Sequence, residues 1–510
     1  MGTAPVRIVP LRTLLEALAE KDCRGRLPAD IHGLTDDSRD VTAGGCFVAV
    51  RGLRADGHRF IPQALERGAG AIVAEPPDPV PGREVGRILV PDSRQALPRL
   101  ADAYFGHPSR ALTVVGVTGT NGKTTTSYLV EALLRGRGLE TGVIGTIQYA
   151  VGGRAREASQ TTPDALELQG LLAEMVASGV GAVSMEVSSH ALAQRRVDGI
   201  AFDVAIFTNL TQDHLDFHGT MERYAEAKAR LFFELLREGG KPDAASVLNA
   251  DDPVGADWAR RLAGRVLTFG LAAGAGLSVF PRGHRSTLSG LTLEAETPAG
   301  SVTVTSRLIG EHNVLNLLGA IATGVALGLA PDQIARALTS VTAVPGRFER
   351  IDAGQDFLVV VDYAHTPDAL RRVLETARPL TPGRLGVVFG AGGDRDRRKR
   401  PIMGRVAADL ADRAWITSDN PRSEDPEAII DEVVAGMAPP PRGGYTRDPE
   451  RREAIRDALG WARGGDTVVI AGKGHESYQI VAGQTLPFDD RQVAREVLDA
   501  RLGQRPERRS

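Results

Sequence analysis

The sequence predicts an α/β protein of three domains built largely on parallel sheets. Three observations carry this reading. The chain is 510 residues long, and at roughly 100–200 residues per domain that length holds about three. From residue 112 onward, short continuous apolar runs alternate with helical patterns, as expected of βαβ units whose strands are buried on both faces. One of those runs leads straight into a glycine-rich turn, Gly119-Thr-Asn-Gly-Lys-Thr124.

Taken in order, residues 1–108 carry β-like runs at 46–50, 71–74 and 88–90, a helical pattern over 61–67, and a Pro- and Gly-rich loop at 75–82. In the second block, 109–345, buried strands are expected at 112–117, 183–187, 204–207 and 247–248, with a helix over 127–135. Thr/Val/Leu alternations within 272–305 suggest a small antiparallel insertion. Residues 314–330 are the most apolar stretch, but Asn316 and Thr323 interrupt it. It also falls short of the about 20 apolar residues that span a bilayer, so a buried helix is expected. The third block, 346–510, has strands at 357–361, 385–389, 414–417 and 467–470, and a polar, frayed tail from residue 501.

Composition narrows the partners. Lys and Arg total 61 against 64 Asp and Glu, a net charge of −3, which argues against a general nucleic-acid or anionic-membrane binder. Hydrophobic residues at 42% and charged residues at 25% are ordinary for a globular chain. Two cysteines, Cys23 and Cys46, build neither a disulfide framework nor a zinc site. The first 22 residues meet charge too early for a secretory signal core. A cytoplasmic protein without membrane insertion is expected.

The segment 114–126 has the context of a phosphate loop: apolar strand, glycine-rich turn, Lys-Thr, then helix. Gly119 and Gly122 let backbone N–H groups close around phosphate oxygens, and the helix N-terminus adds a favourable dipole. Lys123 brings a cation to the β/γ-phosphates, and the Thr124 hydroxyl can reach Mg²⁺. The strict GxxxxGK[ST] pattern has Gly where this chain has Val117. The loop alone leaves GTPases, kinases, helicases and ligases open. No GTPase-type NKxD occurs, and the charge balance disfavours a helicase.

Other polar groups cluster at strand ends, where open α/β sheets bind ligands. Glu186 closes a buried strand and is placed to hold Mg²⁺. Asp213, His214, Asp216 and His218 follow another strand and suggest a metal or phosphate site. Lys228 lies on a helix among small residues, where spacing alone reads as a solvent-exposed lysine. In the third block, polar groups follow strands at 361–368, 390–401, 418–426 and 471–479. Five basic residues fall between 395 and 400, interleaved or flanked by Asp394 and Asp396, which suits one anionic small molecule better than a nucleic acid.

Together these motifs resemble the Mur ligases of bacterial cell-wall synthesis. The resemblance runs over nearly the whole chain: DSR (37–39), GTNGKTT (119–125), TTP (161–163), MEVSSH (185–190), NLTQDHLDFHG (209–219), GEHNVLNLLGA (310–320), PGRFE (345–349), DYAHTPD (362–368), GGDRD (392–396), DNPR (419–422) and GKGHE (472–476). It implies a UDP-substrate-binding N-terminal domain (1–108), a central P-loop parallel-sheet ATPase domain (109–345) and a C-terminal Rossmann-like α/β domain that binds an amino acid (346–510). It implies that ATP phosphorylates the D-Glu carboxylate of UDP-MurNAc-L-Ala-D-Glu and that an amine, here of diaminopimelate, attacks the acyl phosphate.

By the same resemblance, Lys123, Glu186, His214 and Lys228 are catalytic, with Thr124, Glu186 and Lys228 (as a carbamate) on Mg²⁺. Gly119, Thr120, Asn121, Gly122, Lys123, Thr124, Thr125, Asn316, Arg347 and Asp362 would bind ATP. Ser38, Leu53, Arg54, Ala55, Gln160, Thr161, Thr162, Ser188, Gln194 and Arg196 would bind the UDP-muramoyl-dipeptide. Arg395, Asp419, Asn420, Pro421, Arg422, Gly472 and Glu476 would form the diaminopimelate pocket. Arg422 bears the specificity, because a planar guanidinium can bind the second carboxylate of diaminopimelate bidentately. The expected partners are these small molecules, for a protein acting as a monomer. Lysine or ornithine addition is the nearest alternative. A folylpolyglutamate-synthase-like ligase is another, though DNPR and GKGHE are not expected in it.

Overall fold

The structure is a computed structural model that describes residues 7–52, 55–271, 276–287 and 290–503. It separates into two compact units. The first takes in Met1–Arg282, Ala295–Val302 and Leu315–Leu338; the second takes in Gly283–Glu294, Thr303–Val314 and Thr339–Ser510.

The first unit holds two principal sheets, besides the two-stranded pair Ile8–Pro10 and Asp30–His32. The smaller has the order Asp22–Arg24, Gly86–Leu89, Ala71–Ala74, Cys46–Val48, Leu34–Thr35; it is parallel apart from the Asp22–Arg24 edge. The helix Ser93–Phe105 packs Leu97, Leu100 and Tyr104 into one core with Val48, Val73 and Ile88. Asp92 caps that helix by accepting from the Arg94 and Gln95 N–H groups, and left-handed Gly106 ends it.

The larger sheet has eight strands. Its order is Arg154–Glu157, Gln148–Val151, Thr141–Ile144, Ala182–Glu186, Thr113–Thr118, Val204–Phe207, Ala245–Asn249, Arg265–Phe269. The last six are mutually parallel, and the first two form an antiparallel hairpin. Val114, Val115 and Val117 are fully buried, which is why the central strand reads as a continuous apolar run and not an alternation. At Gly116 a Cβ would stand 2.7 Å from the Phe202 ring, so only glycine fits there. The strand Thr113–Thr118 lies between Ala182–Glu186 and Val204–Phe207, and the loops leaving all three converge at its carboxyl end.

The helix expected over 127–135 runs over Lys123–Gly136. Its first turn is polar and gives no apolar period; left-handed Gly122 starts it instead. The apolar stretch at 314–330 is the helix His312–Ala326, whose Val314, Leu317, Leu318 and Ile321 are buried. No helix of the described residues is long and apolar enough to cross a membrane. The insertion appears as a three-stranded sheet, Phe280–Thr287, Gly290–Glu296 and Val302–Ser306; residues 272–275 and 288–289 of that stretch lie outside the described residues.

The second unit is a doubly wound sheet of six strands. The order is Glu349–Arg350, Leu358–Asp362, Thr467–Ala471, Leu385–Phe389, Arg413–Ile416, Tyr445–Arg447, parallel except at the first pair. Alternate strand residues serve opposite faces. Val360, Val387 and Val469 pack under the helices Pro367–Ala377, Lys399–Leu410 and Pro426–Val434. Val359, Val361, Val388 and Val468 pack under Arg451–Trp461 and Asp490–Gly503. The tail expected to fray from residue 501 is helical to Gly503; its remainder is outside the described residues.

Candidate active site

In the first unit the turn after Thr113–Thr118 is held by the segment after Val204–Phe207. Asn209 accepts from Thr120 N at its carbonyl (2.8 Å) and from Asn121 N at its side chain (3.0 Å), and Thr208 Oγ1 donates to the Asn121 carbonyl (2.7 Å). Gly119 and Gly122 have φ of 149° and 84°. A Cβ on Gly119 would run into Thr208 Oγ1, and one on Gly122 would stand 2.5 Å from Asn316 Oδ1. Asn316, from a distant stretch of sequence, therefore stands against the turn. Thr124 and Thr125 are buried in the first helical turn.

Two lysines meet at this turn. Lys123 Nζ donates to the carbonyls of Gly119 (3.0 Å) and Thr120 (2.8 Å), and Lys228 Nζ donates to that same Gly119 carbonyl (2.9 Å). The exposed position that spacing suggested for Lys228 is wrong: the side chain is 1% exposed and lies over the Tyr224 ring. Tyr224, Ala227 and Lys228 form the buried stripe of Met221–Arg230, at the i, i+3, i+4 spacing of a core-facing helix surface. Burial, and then the neighbouring Lys123 charge, hold the Lys228 amine well below the usual lysine range.

Glu186, also 1% exposed, is gripped by one residue: Thr146 N donates to Oε1 (2.9 Å) and Thr146 Oγ1 to Oε2 (3.0 Å). Gly145 leaves room for this, since a Cβ there would stand 2.5 Å from Glu186 Oε1. Beside it, Thr161 pairs with Thr146, Thr162 donates to the Glu186 carbonyl and Ser188 N donates to Thr162. Arg196 donates to the Thr162 carbonyl, Gln194 and Gln160. Six of the residues assigned to the muramoyl-dipeptide are thus one connected polar cluster: Gln160, Thr161, Thr162, Ser188, Gln194 and Arg196.

The residues after Thr211, whose spacing suggested a metal or phosphate site, are not gathered into one metal-holding group. Among the described residues no group of three or more His, Cys, Asp or Glu side chains is disposed to hold a metal ion. His218 turns inward to Ser189 Oγ (3.0 Å) and packs on Tyr224. His214, with φ of 52°, stays near the surface beside Asp213 (3.4 Å) and edge-on to His190 (4.8 Å). Burial, with the other two histidines and Arg196 adding to it, pushes His190 down to about 4; burial lowers His214 and His218 as well.

Ser38, also assigned to the UDP-substrate, lies buried in the smaller sheet's domain and donates to Gln63 Oε1 (2.6 Å). Ala55 accepts from Gly52 N (2.9 Å). Leu53 and Arg54, assigned with them, lie outside the described residues.

In the second unit the strand-end loops also converge. Arg347 stacks over Tyr363 (4.7 Å), and Asp362 accepts from Phe348 N (2.7 Å); burial raises the Asp362 carboxyl against the pull of Arg347. Lys473, fully buried, donates to Asn420 Oδ1 and Glu476 Oε2 (both 3.1 Å) and faces Asp419 at 3.6 Å. Asn420 also donates to Glu476 (2.9 Å). Gly472, beside Asp419, has φ of 120°, a left-handed backbone that favours glycine. Arg422, with φ of 56°, donates to the Gly393 carbonyl (2.7 Å), and Gly393 packs on the Pro421 carbonyl. Arg395 is exposed and donates to the Asp394 carbonyl (3.2 Å). Beneath, the fully buried pair Arg451–Asp490 (2.7 Å) hands its remaining N–H groups to the carbonyls of Ser418 and Ala471.

Most of the basic run at 395–400 is spent internally. Arg397 pairs with Glu432, Arg398 with Asp396, Arg400 with Glu424 and Glu432, and Lys399 donates to the His365 carbonyl. Thr146, Tyr224 and Lys473 are the site residues that motif reading left without a role. Tyr224 was findable four residues before Lys228. Thr146 follows a short strand that sequence reading missed.

A phosphate loop at the mouth of a parallel sheet, followed in the same chain by a doubly wound unit with paired acids and guanidiniums, suits an ATP-dependent ligase, and the chain's similarities to known proteins show that class. The chain belongs to the Mur ligase family: the profiles for "Mur ligase family, catalytic domain", "Mur ligase middle domain" and "Mur ligase, glutamate ligase domain" match residues 30–105, 117–324 and 346–474. It is 48% identical over 479 residues to the UDP-N-acetylmuramoyl-L-alanyl-D-glutamate–2,6-diaminopimelate ligase of Geobacillus thermodenitrificans, covering 94% of this chain and 96% of that one. It is 48% identical over 499 residues to the ligase of the same name from Gloeobacter violaceus, covering 97% and 99%. A solved structure of a ligase of that name superposes with a TM-score of 0.67 at 35% identity, covering 92% of this chain and 95% of that one.

Proposed function

We propose that this ligase adds meso-2,6-diaminopimelate to the D-Glu carboxylate of UDP-MurNAc-L-Ala-D-Glu at the expense of ATP. The observation that carries the reading is Arg422, pinned to the Gly393 carbonyl from the loop that also carries Asp419 and Asn420, which pair with Lys473 and Glu476, in a chain nearly half identical along almost its whole length to ligases of that name. A guanidinium suits the distal carboxylate of diaminopimelate, and the neighbouring acids suit its amine. The residues at 1–108, 109–345 and 346–510 then serve the UDP end, the nucleotide and the amino acid respectively.

A carboxylate accepts an amine only once activated. Transfer of the γ-phosphoryl to a carboxylate oxygen releases ADP; the neutral amine then adds to the acyl carbon, and phosphate leaves from the tetrahedral intermediate. The protein's part is positioning and charge neutralisation. Backbone N–H groups of residues 119–124 and the Lys123 ammonium face the phosphates. The Arg196 cluster holds the dipeptide, with the Gln160, Thr162 and Ser188 groups fixing its orientation. Arg395 and Arg422 hold the amino acid.

Mg²⁺ takes oxygen ligands and keeps several waters, and the donor set fits it: the Thr124 hydroxyl, the Glu186 carboxylate and a Lys228 carbamate. When bound, the ion screens the phosphate charge that opposes attack by a carboxylate. As an ammonium Lys228 cannot ligate, but its lowered proton affinity leaves a neutral nitrogen able to bond CO₂, losing one proton to give a carbamate that offers Mg²⁺ oxygen donors. His214 stands at the same edge, beside Asp213.

The test is ADP release with UDP-MurNAc-L-Ala-D-Glu plus meso-diaminopimelate, L-lysine or L-ornithine. Turnover with diaminopimelate, far above the other two, is expected. No turnover with any of them, or turnover with lysine alone, would overturn the assignment.

A further inference from the structure

Arg400 is fully buried, yet it is the second residue of the helix Lys399–Leu410. A cation in a first helical turn opposes the helix dipole, so helix formation does not account for it. Its partners do. The guanidinium forks onto Glu424, with Nη1 to Oε2 at 2.9 Å and Nη2 to Oε1 at 2.8 Å; Nη1 also reaches Glu432 (2.9 Å) and Nη2 the Gly392 carbonyl (3.2 Å). Glu424 in turn accepts from Asp394 N (2.6 Å). Ser423 donates to both carboxylate oxygens of Asp394 (2.7 and 3.2 Å), and Gly393 N donates to the Asn420 carbonyl (2.9 Å). The loop 390–396 and the loop 419–424 are therefore stitched together along their length, and Arg422 reaches across the seam to Gly393.

We propose that Arg400 is a positioning residue for amino-acid selection: by binding Gly392 and Glu424 at once it fixes the seam on which the Arg422 guanidinium is oriented. This rests on the diaminopimelate reading of the same pocket. A lysine cannot replace it, because one ammonium does not span two carboxylate oxygens and a carbonyl in a plane.

The experiment compares the full-length enzyme with Arg400→Lys, Glu424→Gln and Ser423→Ala, the last two removing seam contacts without leaving a buried cation unpaired by design. KM for diaminopimelate, KM for ATP and the diaminopimelate-to-lysine ratio of kcat/KM are measured, with Tm as a check on folding. For Arg400→Lys and Glu424→Gln the diaminopimelate KM should rise about tenfold, the scale on which loss of an orienting partner acts. The ATP KM should stay put and the preference over lysine should narrow. Ser423→Ala should show the same pattern more weakly. A fall in kcat that tracks folded fraction with both KM values unchanged would overturn the proposal, as would equal rises in both. If the wild-type enzyme fails to use diaminopimelate at all, the functional reading falls first and takes this one with it.

Discussion

At the scale of single residues, the proposed reaction makes opposite demands on Arg422 and Lys228. Arg422 must keep its charge and point it. Replacing it with alanine removes charge-assisted contacts worth about 1.5–3 kcal/mol each, so the diaminopimelate KM should rise by one to two orders of magnitude while the ATP KM is unmoved; equal effects on both would remove its assigned role. Lys228 must lose its charge. With ¹³C-bicarbonate the wild-type protein should show a carbamate resonance that Lys228→Met lacks. The signal should fade as pH falls, because protonation through the lowered lysine pKa removes the nucleophilic form. A spectrum without that resonance at neutral pH, with Mg²⁺ present, would count against the modification. The motifs named both residues, but neither geometry was legible. The left-handed backbone of Arg422 depends on a partner loop far away in sequence. The burial of Lys228 was masked by the polar composition of 222–230, although Tyr224 four positions earlier marked the face.

At the scale of elements, the helix Ser189–Ala193 and the segment after Asp213 bring His190, His214 and His218 into contact. Burial lowers all three, His190 to about 4. The folded protein therefore binds fewer protons here than the unfolded chain, whose histidines titrate near 6.5. Stability from this cluster is complete above about pH 6.5 and is lost as pH falls toward about 4. Urea midpoints measured from about pH 7.5 down to about pH 5 should decline, and His190→Gln should flatten the decline; an unchanged slope would exclude the cluster as the cause. The main strands were legible because full burial makes them continuous apolar runs, as at Val204–Phe207 and Leu385–Phe389. Thr141–Ile144 was missed because a glycine sits in it, where a Cβ would stand 2.6 Å from the Met175 sulfur. The hairpin beside it carried a usable signal, Gly152-Gly153, both with positive φ.

At the scale of the whole molecule, two units with separate cores should respond to different ligands. A bound ligand at 100 times its Kd adds about 2.7 kcal/mol. A non-hydrolysable ATP analogue should protect amides of residues 113–136 from hydrogen exchange, and diaminopimelate those of 385–422; protection of both sets by either ligand alone would contradict the division of labour. Three α/β blocks were legible from the alternation of runs and turns, whereas the local spending of the 395–400 charges was not, since pairing with Glu424 and Glu432 is set by packing. The buried Arg451–Asp490 pair has a further consequence. Breaking such a pair costs about 3–5 kcal/mol, so Asp490→Asn should lower Tm by several degrees. More than stability is at stake, because the same guanidinium holds the carbonyls of Ser418 and Ala471, the last footholds before DNPR and GKGHE. Both loops of the proposed amino-acid pocket hang from one peg. A change in what the loops carry leaves their starting points where this pair sets them.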